Sequence, residues 1–338
     1  MIRFATPSFW YEPPGLRARL LAPLGAIYGH VTVSRLRKAP AIPSHPPVIC
    51  IGNLTAGGGG KTPSTIALHR LLGRQDAHFL TRGHGGKLPG PVMVDPEHHT
   101  ASNVGDEPLL LAQQAPCWVA RDRAAGLQAA KAAGAGLVIM DDGLQNPTVN
   151  PAIRLLAVKG EMGFGNGGMI PAGPLREPLD HGLKRVDAML CIGPMTHHSL
   201  RDLTFDKPIF AARYVPDHDA LAAIKGKSCV AFAGIARPDS FFSMLREHGV
   251  ELADTIAFPD HHHLTTNEWR ALTQRIVTKH TSADTVLVTT EKDWVRLPPD
   301  QRAQAHPVPI TLEWENPSAM IGFITDHKGY KARDHADV

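Results

Sequence analysis

The segment Ile49-Cys50-Ile51-Gly52-Asn53-Leu54-Thr55-Ala56-Gly57-Gly58-Gly59-Gly60-Lys61-Thr62-Pro63 carries the strongest chemical signal in the chain. Its apolar start reads as a strand and its Lys-Thr-Pro end as the opening of a helix. Between them, backbone N–H groups from Thr55, Ala56, Gly57, Gly58, Gly59 and Gly60 can converge on phosphate oxygens. Lys61 can then reach the β and γ phosphates of a nucleoside triphosphate, and the Thr62 hydroxyl can ligate Mg²⁺. Thr55 departs from the usual Gly-x-x-x-x-Gly-Lys-Ser/Thr pattern, which has glycine at that place.

A phosphate loop needs a carboxylate at the end of a nearby parallel strand to complete the Mg²⁺ shell. Leu137-Val138-Ile139-Met140-Asp141-Asp142-Gly143 supplies two. Adjacent strand residues point to opposite faces, so the sequence leaves open which of Asp141 and Asp142 meets the metal. His261-His262-His263 looks like a metal tract, but three consecutive side chains cannot all face one ion in regular structure.

The elements that must position these groups alternate between short apolar runs and helical-length stretches rich in alanine and leucine, the pattern of an α/β protein. Strands are expected at 48–51, 78–81, 117–120, 137–140, 153–158 and 188–192, with helices at 63–72, 108–114 and 121–133 between them. The fold class is therefore a P-loop NTPase-like, mostly parallel sheet flanked by helices. A second cycle, with strands at 229–233 and 285–289 and helices at 239–247 and 266–279, reads as a smaller C-terminal α/β domain. The expected organisation is an N-terminal basic segment over 1–40, the P-loop domain over 41–215, the smaller domain over 216–330 and a polar tail over 331–338.

In the N-terminal segment Leu16, Leu20, Leu21, Leu24, Ile27 and Val31 recur at helical spacing, and six basic residues face one acid. Two readings stay open: a helix folded onto its own domain, or one lying on an anionic membrane surface. The apolar run is too short to span a bilayer and leads into basic residues, not a cleavage site. Across 338 residues the net charge is only +3, which argues against a nucleic-acid binder dominated by phosphate neutralisation. The 4 cysteines are too widely spaced for a CxxC metal or redox motif, as expected of a reducing cytoplasm.

Taken together, these motifs resemble the tetraacyldisaccharide 4′-kinases, which phosphorylate the lipid A precursor of Gram-negative bacteria. The resemblance is carried by the P-loop segment with its Thr55 and by Arg82-Gly83-His84-Gly85-Gly86, Gly105-Asp106-Glu107-Pro108 and Asp141-Asp142-Gly143-Leu144-Gln145. Gly165-Asn166-Gly167, the segment from Pro171 to Glu177, Pro259-Asp260-His261-His262 and Thr290-Glu291-Lys292-Asp293 continue it in the same order. It implies ATP and Mg²⁺ as cofactors, and as acceptor the 4′-hydroxyl of an acylated glucosamine disaccharide 1-phosphate. It also implies a non-spanning place on the cytoplasmic face of the bacterial inner membrane, with no nucleic acid and no obligate protein partner inferred. A sugar hydroxyl needs a proton acceptor beside the γ-phosphate. The family pairs the Asp of its Gly-Asp-Glu segment with the His of its Asp-His segment, which here are Asp106 and His261. The alternative for Asp106 is a helix cap. Glu107 is expected to support the metal or the base, and Asn53 and Arg176 to contact phosphate or substrate. Asn146, His84 and Gly168-Met169 depart from the family's usual text.

The rival reading is a P-loop GTPase or ATPase of the switch or metallochaperone kind. An Asn-Lys-x-Asp guanine-reading motif is missing from the sequence, which weighs against it. An inactive P-loop protein is disfavoured because Lys61, Thr62 and Asp141 are all intact.

Overall fold

The computed structural model describes residues 7–38, 42–235, 237–260, 262–279 and 285–330. Thirteen strands build its two larger sheets. The first eight are β1 (Val48–Gly52), β2 (Ala77–Thr81), β3 (Val92–Met93), β4 (Cys117–Val119), β5 (Leu137–Asp141), β6 (Ile153–Lys159), β7 (Ala188–Ile192) and β8 (Ile209–Pro216). They are followed by β9 (Ser228–Ala233), β10 (Glu251–Ala257), β11 (Thr285–Thr290), β12 (Ala305–Val308) and β13 (Ile310–Trp314). The main sheet has 9 strands in the order β13-β8-β7-β6-β1-β5-β2-β4-β3, parallel throughout except at its two edges. Strands β1, β2, β5 and β7 are buried at every residue, as expected of parallel strands covered by helices on both faces.

The helices used below are α1 (Leu16–Lys38), α2 (Lys61–Leu72), α3 (Asp106–Ala112), α4 (Arg123–Ala132), α5 (Leu179–Arg185), α6 (Pro238–Glu247), α7 (Thr266–Lys279) and α8 (Pro317–Asp326). Strand β1 feeds the loop that opens α2, and β5 pairs with β1 so that Ile51 lies opposite Asp141. The phosphate loop and the acidic strand end therefore share the carboxyl edge of the sheet, where open α/β folds bind their ligands.

The second sheet is wholly parallel, 4 strands in the order β10-β9-β11-β12, and packs α6 and α7 around its own cores. It spans less chain than the expected 216–330. After β12 the chain returns: β13 pairs antiparallel with β8 at the edge of the main sheet, and α8 buries Met320 and Ile324 in the main core. The return was illegible because one short edge strand carries no mark of the sheet it joins. The expected tail over 331–338 lies outside the described residues.

Helix α1 packs one face onto its own domain and leaves the other exposed. Its small residues Ala18, Gly25 and Gly29, with Thr32, face the protein. A side chain at Gly25 would come within 2.8 Å of the Met169 carbonyl oxygen, and one at Gly29 would run into the Met169 thioether. The large residues point the other way: Leu16, Leu20, Leu24, Ile27 and Val31 are between 56% and 74% exposed. Among the described residues, no helix is long and apolar enough to cross a membrane.

Candidate active site

The turn from β1 into α2 depends on two left-handed glycines, Gly57 (φ 107°) and Gly60 (φ 79°), the latter serving as N-cap of α2. Thr55 needs no such freedom, because it bridges Leu175 in extended backbone. Neighbouring bonds from Ala56 N to Pro174 O (2.7 Å) and from Arg176 N to Leu54 O (2.7 Å) lace the loop to the 169–177 segment. The departure at Thr55 is thus a change of partner and leaves the phosphate cradle intact.

Lys61 lies over this cradle, its Nζ 3.4 Å from Asn53 Oδ1 and 3.6 Å from Asp142 Oδ2. Asn53 is only 1% exposed and sits beneath the loop, where it orients Lys61. Its Nδ2 is buried without a hydrogen-bond partner, and a side chain at Gly59 would collide with it. An orphaned donor under a loop that has no room for a side chain at Gly59 fits a bound phosphate.

Thr62 Oγ1 donates to Asp141 Oδ2 at 2.9 Å across 79 residues of sequence, and Thr65 Oγ1 donates to Oδ1 at 3.4 Å. Asp141 is fully buried, and burial together with the negative charge of Glu107 pushes its carboxyl up to about 7 against the pull of Lys61. Asp142, at φ 55°, turns to the other side, where Arg176 Nη1 donates to it at 2.8 Å. Burial opposes its ionisation, but Lys61 and Arg176 outweigh burial and hold its carboxyl below the usual range. The two aspartates therefore divide the work: Asp141 faces the Thr62 hydroxyl, and Asp142 faces the cations. Arg176 reaches Asp142 and Gln145 Oε1 (3.5 Å), with a quarter of its side chain exposed.

Glu107 does not join the aspartates in a metal cage. Lys292 Nζ lies 3.2 Å from it, and Lys292 with Lys61 outweighs burial to keep its carboxyl low. Among the described residues no group of three or more His, Cys, Asp or Glu side chains could hold a metal ion alone. Mg²⁺ does not need one, since it keeps several waters and takes one or two carboxylates plus phosphate oxygens. Thr62 and Asp141 fit that donor set. Asp106 is no helix cap: Gly105 occupies the N-cap, and the Asp106 side chain turns to Arg296 Nη2 at 2.6 Å. His261, expected beside it, lies outside the described residues.

The family described as Tetraacyldisaccharide-1-P 4′-kinase matches residues 17–328. The tetraacyldisaccharide 4′-kinase of Rhodospirillum centenum is 48% identical over 321 residues, covering 93% of this chain and 94% of that one. The chain belongs to the tetraacyldisaccharide 4′-kinase family. The protein of the same name from Dinoroseobacter shibae is 46% identical, covering 93% of this chain and 95% of its own. In fold the chain is similar to the crystal structure of LpxK from Aquifex aeolicus in complex with ATP, with a TM-score of 0.74 and 23% identity, over 92% of this chain and 99% of that one.

Two features of this tetraacyldisaccharide 4′-kinase family site were missed at the sequence level. Glu177 is completely buried and gathers Arg185 Nη2 (2.6 and 2.8 Å), His181 Nδ1 (2.8 Å) and Gln145 Nε2 (2.9 Å), which fixes the segment that carries Arg176. A signal existed: glutamate, histidine and arginine at 177, 181 and 185 recur at helical i, i+4 spacing. Arg296 is the other. It is separated from Asp106 by 190 residues, and no local pattern joins them.

Proposed function

We propose that this chain transfers the γ-phosphoryl group of ATP to the 4′-hydroxyl of an acylated glucosamine disaccharide 1-phosphate at a membrane surface. The observation that carries the phosphoryl-transfer reading is the Thr62–Asp141 contact at 2.9 Å beneath an intact phosphate loop. The loop amides and Lys61 hold the β and γ phosphates, and Thr62 with Asp141 provides the protein ligands for Mg²⁺. Mg²⁺, when bound, would neutralise negative charge on the β and γ phosphates. Asp142, set between Lys61 and Arg176, fixes both cations beside the transferred group. As the bond from the 4′-oxygen to phosphorus forms and the bond to the β,γ-bridging oxygen breaks, the hydroxyl proton passes to the Asp106 carboxylate. His261 is assigned to orient Asp106, following the family resemblance.

The acceptor is an amphiphile, and α1 offers a matching surface: an outward row of Leu16, Leu20, Leu24, Ile27 and Val31 with basic residues around it. Such a face binds an anionic interface by apolar burial and charge together, as a peripheral helix on the cytoplasmic leaflet. Turnover of ATP with and without dispersed acceptor tests the catalytic reading. Acceptor-dependent ADP release is expected from the native chain and is lost in Lys61→Ala and Asp106→Ala. Native-like turnover in Asp106→Ala would remove the base.

A further inference from the structure

Besides a 3.9 Å pair between Arg237 and Glu161, the two units meet along a short segment centred on Arg296. Val295 on one side is buried in the core of the main sheet, and Leu297 on the other is buried in the core of the second. Arg296 is thus fixed from both directions, its side chain only 2% exposed. Nη1 donates to Asp293 Oδ1 at 2.8 Å and to the Gly234 carbonyl at 3.1 Å, both within the second unit. Asp293 is itself held by Gly234 N at 3.0 Å and by the Thr290 hydroxyl at 2.6 Å. From this anchored base Nη2 crosses to Asp106 Oδ2 at 2.6 Å, and Lys292 crosses beside it to Glu107 at 3.2 Å.

We propose that Arg296 is a positioning residue for the phosphoryl transfer, acting through Asp106. Its planar fork takes the orientation of the second unit from Asp293 and Gly234 and imposes it on the carboxylate that accepts the acceptor's proton. The inference rests on the reading of Asp106 as that base. A stabilising role alone explains the arrangement poorly, because a buried ion pair contributes little net stability relative to apolar packing. Alignment explains it better: a base displaced by about 1 Å loses on the order of 100-fold in rate. Lysine, a point charge on a flexible stem, cannot hold Asp293, Gly234 and Asp106 in one plane.

The experiment is a kinetic cycle on the full chain with ATP and detergent-dispersed acceptor, using Arg296→Ala, Arg296→Lys, Asp106→Asn and the double variant Arg296→Ala/Asp106→Asn. Arg296→Ala is expected to lower kcat by about 100-fold while KM for ATP moves less than about threefold. Arg296→Lys, which keeps the charge and guards against simple misfolding, is expected to recover less than a tenth of that loss. In the Asp106→Asn background, removing Arg296 is expected to cost nothing further. A native kcat in Arg296→Ala or Arg296→Lys would overturn the proposal, and so would a double variant whose loss is the product of the single losses. Native turnover in Asp106→Asn alone would instead locate the failure in the assignment of the base.

Discussion

At the scale of single residues, the site is built from carboxylates whose partners differ and whose roles differ accordingly. Asp141 meets hydroxyls, Asp142 meets Lys61 and Arg176, Asp106 meets Arg296 and Glu107 meets Lys292. The chemistry of the loop and of the acidic strand end was readable from residue types alone, because both motifs are contiguous and their spacing is dictated by phosphate geometry. Which aspartate faces Thr62 was not readable, since it depends on where the β5 strand ends and on the left-handed turn at Asp142. Glu177 shows the same limit: it looks like one more surface acid in sequence, yet it is fully buried under three partners. Glu177→Gln removes the charge that Arg185 and His181 share, and is expected to lower unfolding stability by about 2 kcal/mol, below the full cost of breaking a buried pair because both partners are partly exposed. Urea denaturation measures it, and an unchanged midpoint would show that the cluster is not structural.

At the scale of elements, spacing fixed the helices better than it fixed what they face. Expected helices over 63–72 and 121–133 correspond to α2 and α4, with ends moved by two residues or fewer. In α1 the periodicity was visible, but only the packing of Gly25 and Gly29 against Met169 shows that the leucine row faces outward. Leu20→Glu combined with Leu24→Glu is expected to abolish co-sedimentation with anionic vesicles while leaving the thermal midpoint near native, because neither side chain packs on the protein. Retained sedimentation would refute the docking role of α1. At the start of α7, Glu268 accepts from Thr265 N and Oγ1 (2.8 Å each) and pairs with His262 at 3.0 Å, which stacks on Phe258. The Thr265 backbone and hydroxyl, then His262, hold the Glu268 carboxyl down to about 2. A folded-state value below the unfolded one means that this contribution is present above about pH 4.5 and is lost as pH falls toward 2. Thermal midpoints across that window are expected to fall less steeply for Glu268→Gln than for the native chain. Identical slopes would exclude the contribution.

At the scale of the whole molecule, a charge of +3 on 338 residues gave no hint of a membrane or of a seam. The net figure averages over a basic first segment and hides it. The seam was hidden for a different reason: ion pairs between units, and a chain that returns through β13 and α8, are properties of tertiary pairing that no window of sequence contains. What the fold adds is a contact between the two units, in which Arg296 and Lys292 of the second grip Asp106 and Glu107 of the first. The most direct check is mass analysis of the lipid recovered after incubating the chain with ATP, Mg²⁺ and the purified disaccharide 1-phosphate. A single added phosphate at the 4′-hydroxyl, missing with Lys61→Ala, is the expected result. ATP consumed with no phosphate on the disaccharide, or phosphate placed at another hydroxyl, would contradict it.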